Sequence, residues 1–147
     1  MRRLSVAAMG ALLAAGFVAF AQADRGTQSE LTAISGEGAG HVIVMPTAQN
    51  KDSFTFAMLL EVNVRDMLPN STFTVERAID FIPDGVCTGT TSLTNGPITT
   101  SEGGAGAAHF SLAKGAPFLE GVRFDVVFRV IGNGTELRSD CMTVTVK

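Results

Sequence analysis

The sequence predicts an all-β protein: an antiparallel β-sandwich of about seven strands, preceded by a cleaved signal peptide. Three observations carry this expectation. Apolar residues alternate with polar ones at period two over several segments. Gly, Pro and Asn punctuate those segments at short intervals. No stretch outside the N-terminal run shows a helical period over ten or more residues. With 147 residues, 46% hydrophobic and 17% charged, the chain holds one ordinary domain and can bury a core, which excludes a disordered chain. A net charge of -3 and a sequence pI near 5.3, with no cluster of Lys and Arg, argue against a nucleic-acid partner.

The first element is an export signal. Arg2 and Arg3 precede an uncharged run from Leu4 to Ala23, which ends in the small-x-small pattern Ala21-Gln22-Ala23 before Asp24-Arg25. A basic start, an apolar middle and such a site together make a secretory signal peptide. Gly10, Gly16 and the cleavage pattern disfavour a retained span, and no Cys follows the apolar run to take a lipid. The expected organisation is therefore a signal peptide over 1–23, a flexible N-terminal lead over 24–35 and a single β-sandwich domain over 36–147. The mature protein is expected to be secreted or periplasmic, with no stable membrane anchor after cleavage.

The strands follow in order. His41 to Met45 is a short apolar run closed by Pro46. Over Ser53 to Arg65, one face carries Phe54, Phe56, Met58, Leu60, Val62 and Val64, while the other is polar except for Leu59. Thr72 to Asp80 places Phe73 and Val75 inward, with Thr74 and Glu76 outward. The weaker region Thr88 to Thr100 contains Asn95-Gly96-Pro97, which reads as a turn between two Thr-rich stretches. The loop Gly103-Gly104-Ala105-Gly106 leads into Ala108, Phe110 and Leu112 on one face. Val122, Phe124, Val126, Phe128 and Val130 form the cleanest strand, with Arg123, Asp125 and Arg129 outside. Gly132-Asn133-Gly134 then turns the chain, and Thr135 to Val146 returns as its hairpin partner. Leu137 has the opposite parity to Met142, Val144 and Val146, so a bulge near Ser139-Asp140 is expected.

Cys87 and Cys141 are the only cysteines. In an oxidising compartment an even pair most simply forms one disulfide. No C-x-x-C spacing points to redox or metal chemistry instead. A bridge across 54 residues is worth about 4 kcal/mol in the chain-entropy picture.

Leu68-Pro69-Asn70-Ser71-Thr72-Phe73-Thr74-Val75 resembles the corner entering a late strand of fibronectin type III and related immunoglobulin-like domains. Phe73 stands where those families place a Tyr, so the corner hydroxyl is missing. More broadly, the segments Glu76-Arg77-Ala78, Asp84-Gly85-Val86-Cys87-Thr88 and Arg138-Ser139-Asp140-Cys141 make the chain similar to small exported bacterial proteins of unassigned function. The resemblance implies an immunoglobulin-like β-sandwich and an export compartment, not an activity.

The residues give little support to catalysis. His41 and His109 are the only histidines, far apart in sequence, with no ligand spacing around either. Met45, Met58, Met67 and Met142 could offer thioethers to Cu(I), yet Met58 and Met142 read as core, Met45 as a strand end and Met67 as a turn residue. There is no nucleophile elbow. Gly36-Glu37-Gly38-Ala39-Gly40 and Gly103 to Gly106 open no helix and read as turns rather than phosphate cradles. Asn70-Ser71-Thr72 and Asn133-Gly134-Thr135 fit the glycosylation pattern but coincide with turns that Asn favours. No catalytic residue, metal ligand or cofactor is expected.

Three functions remain, in order of preference. The first is a non-catalytic exported module that binds a protein, glycan or small ligand through loops 82–86, 94–97, 101–106 and 114–121. The absence of Trp and Tyr weighs against glycan recognition. The second is a self-associating envelope or extracellular structural protein, using a sheet edge or the face around Leu59, Val127 and Ile131. The third is a metal-assisted enzyme carried by His41 or His109.

Overall fold

The computed structural model describes residues 27–47, 56–89, 92–114, 118–119 and 121–146. The expected signal peptide, and Phe54 of the long alternating strand, lie outside the described residues. Within them the protein is all-β and antiparallel, with nine strands: β1 (Thr27–Ser35), β2 (Ala39–Thr47), β3 (Phe56–Arg65), β4 (Thr72–Asp80), β5 (Ser92–Thr99), β6 (Gly106–Lys114), β7 (Arg123–Gly132), β8 (Thr135–Ser139) and β9 (Met142–Thr145). They form one sheet in the order β5-β4-β7-β8-β1-β2-β3-β6, with β9 also on β7.

That order corrects the expected sandwich of about seven strands. The β8–β1 ladder, which runs from Leu31↔Ser139 to Ser35↔Glu136, joins what would otherwise be two sheets into one curved surface. Strands β5 and β6, the two ends of the order, then approach each other and nearly close it into a barrel. Thr27–Ser35 is also not a loose lead. It is an interior strand, bonded to β2 on one side and β8 on the other. Leu31 is its one large apolar residue turned into the core, so its place is set by two backbone ladders rather than by an apolar stripe.

The core lies between the two curved halves. Val42, Val44, Met58, Leu60, Val62 and Val64 from β2 and β3 face Phe73, Val75, Phe124, Val126, Phe128, Val130 and Leu137 from β4, β7 and β8, all buried. Of these, Met58, Leu60, Val62, Val64, Phe73, Val75, Phe124, Val126, Phe128 and Val130 are the inward residues expected from the alternation. Met67 is a connection residue but buried, with its sulfur against Gly38. The parity conflict in the last strand is resolved as expected. Arg129 pairs with Arg138 while Val126 pairs with Met142, so four steps of the return strand span three of β7. The extra residue separates β8 from β9 and lets Leu137, Met142 and Val144 all point inward.

A second bulge corrects the reading of Asn95-Gly96-Pro97. The three residues are no turn but part of β5, where Val75 pairs with Gly96 and Glu76 with Thr94. Asn95 is the extra residue. Gly96 is required there because a Cβ would stand 2.6 Å from the Phe110 ring across the β5–β6 gap.

The corner over 68–75, where no tyrosine hydroxyl is expected, is closed by the Thr100 hydroxyl. Buried Thr100 donates to the Leu68 carbonyl (2.6 Å) and accepts from the Ser71 N–H (3.0 Å). Asn70 and Asn133 both hold left-handed φ values, 47° and 50°, as their turn reading requires.

Candidate functional site

The site-bearing region is the segment 81–89, between β4 and β5. It does not hang free. Cys87 is bonded to Cys141, which occupies the break between β8 and β9, with a Cα–Cα distance of 5.5 Å. The expected pairing is thus present, and a disulfide is the chemistry of an oxidising compartment. The Gly85 N–H donates to one Asp125 carboxylate oxygen (2.6 Å), and the Thr143 hydroxyl to the other (2.6 Å). At the foot of the segment, Asp80 accepts from the Thr88 hydroxyl (2.5 Å) and from the Ile82 N–H (3.0 Å). These bonds hold the Asp80 carboxyl below the usual carboxylate range, the Thr88 hydroxyl most of all.

The segment therefore covers the outer face of β7. Asp125, expected outside, is fully buried, and Val127, expected on an exposed apolar face, is buried beside Gly85, Val86 and Cys87. Only Leu59 of that proposed face is strongly exposed. Ile131 is half-buried.

Large apolar side chains ride on the pinned segment. Phe81, Ile82 and Val86 are 51%, 65% and 57% exposed, and Leu119 from the neighbouring 118–121 connection is 47% exposed. Phe118 ties the two connections to the core. Its ring lies 5.4 Å from Phe81 and 5.2 Å, edge-on, from Phe124. Leu119 is held by a turn in which its carbonyl accepts from the Val122 N–H (3.0 Å). Of the loops expected to make contacts, 82–86 and the described part of 114–121, Phe118 and Leu119, thus meet at one end of the barrel. The connection 101–105 lies at the other end, bonded back through Met67 N–H to Gly104 O (3.1 Å). Residues 94–97 belong to β5.

The histidines are not brought together. On the outer face of β2, β3 and β6, His41 stands opposite Asn63, and His109 opposite Glu61. Asn63 Nδ2 donates to Glu61 Oε1 (2.8 Å) and reaches His41 Nε2 (3.2 Å), so Nε2 is the acceptor. Among the described residues, no group of three His, Cys, Asp or Glu side chains is placed to hold a metal ion. On the far side of the barrel, Arg129 bridges Glu76 (2.9 Å) and Glu136 (3.8 Å) on the outer surface.

Fold and site together define an antiparallel, barrel-like β-domain with a disulfide-pinned apolar loop. Comparison with protein families, with curated proteins and with solved structures found no match.

Proposed function

We propose that this is an exported, non-catalytic binding module that engages an apolar partner surface through segment 81–86 and Leu119. One observation carries the reading. Phe81, Ile82 and Val86 are more than half exposed, on a segment fixed by a disulfide, by Asp125 and by Asp80. Apolar side chains held out in water cost solubility and are kept where something covers them. Fixing their backbone beforehand lowers the ordering cost of association. The signal-peptide pattern and the disulfide support a secreted or periplasmic location.

The test is site-specific photocrosslinking in the exporting cell. A photoreactive residue at Ile82 or Leu119 is expected to give a discrete adduct in much higher yield than one at Thr99 or Asn133, at the opposite end. Equal yields at both ends overturn the proposal. A second reading is self-association, favoured by Leu59, 45% exposed in a hollow of about 310 Å³ shared with Met45 and His109. It predicts an adduct at twice the chain mass from Leu59 and none from Ile82.

A further inference from the structure

We propose that Arg77 and Asn95 form an internal anion site, reached through the β5–β6 seam, that takes the carboxylate of an acyl chain. The inference is independent of the loop-end reading. Arg77 shares the inward parity of Phe73, Val75 and Ile79 on β4 and is only 5% exposed. Its surroundings are Met58, Ile79, Leu112, Phe118, Phe124 and Val126, around a cavity of about 10 Å³. A guanidinium placed among such side chains needs a counter-charge and acceptors. Among the described residues Arg77 forms no ion pair, and its one hydrogen-bond acceptor is Asn95 Oδ1. Burial alone lowers its affinity for the proton.

Asn95 adds a second, separate observation. It is the extra residue of the β5 bulge, and its buried Nδ2 has no hydrogen-bond partner among the described residues. With Oδ1 occupied by Arg77, the amide hydrogens and the rest of the guanidinium stand together as donors without an acceptor among the described residues. Donors of that kind, one of them a planar fork, match a carboxylate. The contrast with Arg129 is informative. That arginine, on the outer face, reaches two carboxylates. Glu76, the residue next to Arg77, faces outward to Arg129 and Ser92, so it cannot serve the inner face.

The seam supplies access and the character of the remaining ligand. Among the described residues, β5 is bonded only to β4, and β6 only to β3. Toward one end the gap is filled by Phe110 against Gly96. Toward the other, Leu93 pairs with Arg77 in register yet is 40% exposed, and Leu112 is half-buried. The path to the guanidinium is therefore apolar. A cavity of about 10 Å³ has the room of at most one water molecule, so a carboxylate reaches the guanidinium only where Leu93 and Leu112 at the seam give way, and the body lies along them. An acyl carboxylate has this division of charge and apolar surface; a sugar does not.

The experiment titrates decanoate, decanol and sodium chloride into the delipidated, disulfide-intact mature protein, by calorimetry and by thermal melting. Decanoate is expected to bind one to one and raise Tm, with decanol at least tenfold weaker and chloride without effect at equal concentration. Arg77→Met is expected to lose decanoate binding at least tenfold. Should that variant fail to fold, Asn95→Ala keeps the cation and is expected to weaken decanoate several-fold while leaving decanol unchanged. Decanol binding as tightly as decanoate overturns the proposal, as does a chloride shift equal to that of decanoate. Undiminished binding by Arg77→Met, or no binding of decanoate to the native chain, overturns it as well.

Discussion

Asp125 shows how far a single residue's role can depart from its place in a pattern. By parity it belongs to the outer, polar face of β7, beside Arg123 and Arg129, and the alternation was sound. What turned an outer position into a buried one is segment 81–89, folded over it by a disulfide to a residue distant in sequence. No local signal carries that information. The buried carboxylate now accepts from the Gly85 N–H and the Thr143 hydroxyl, both at 2.6 Å. Asp125→Ala would remove the acceptor of both bonds. The expected loss is about 2–3 kcal/mol, the worth of hydrogen bonds to a charged group, seen as a lower urea midpoint with an unchanged slope. Asp84→Ala, on an exposed residue of the same segment, should shift the midpoint far less. A loss for Asp125→Ala below about 0.5 kcal/mol, the range of an ordinary surface substitution, would mean that the segment is held by the disulfide alone.

At the scale of elements, legibility followed the source of each strand's stability. β3, β4 and β7 each bury a run of apolar side chains at period two, and their alternation marked them in the sequence. β1 buries Ser29 and Leu31 and is fixed by ladders on both edges, so composition alone gave a loose segment. β5 was split at Asn95-Gly96-Pro97 because the residues that suit a turn also suit a bulge. The β3–β4 corner lies between these cases. Its Pro-Asn turn was visible in the sequence, and the hydroxyl that closes it was not, because Thr100 is a neighbour only in space. Thr100→Val keeps the shape and removes the hydroxyl that accepts from Ser71 and donates to Leu68. It is expected to cost about 1–3 kcal/mol, through the desolvated groups left unpaired, whereas Thr99→Val at the adjacent exposed position should be close to neutral. Thermal unfolding of the two variants side by side checks this; equal melting temperatures would show that the corner is held by its backbone bonds.

For the whole molecule, the disulfide acts on only one of the two curved halves of the sheet. Cys87–Cys141 fastens segment 81–89 to the break between β8 and β9, on the side of β4, β7 and β9. The half built from β1, β2, β3 and β6 receives no cross-link and depends on its ladders and on Val42, Val44, Leu60 and Val62. Replacing both cysteines by Ser should therefore act twice. Globally, it relaxes the unfolded chain and lowers stability by about 4 kcal/mol, read from the denaturant midpoint. Locally, it frees the backbone that presents Phe81, Ile82 and Val86, so the amides of Gly85 and Thr88 should exchange with solvent faster under native conditions. The amides of Val42 and Val62 should slow or speed only with the global transition. Crosslinking from Ile82 should fall in the same variant, since a mobile segment must be ordered before it binds. If exchange at Gly85 instead tracks Val62, the segment and the barrel unfold as one unit and the bridge serves global stability only. If exchange at Gly85 rises while crosslinking from Ile82 holds, the partner does not require the pinned conformation, and the exposed apolar residues act as a flexible contact.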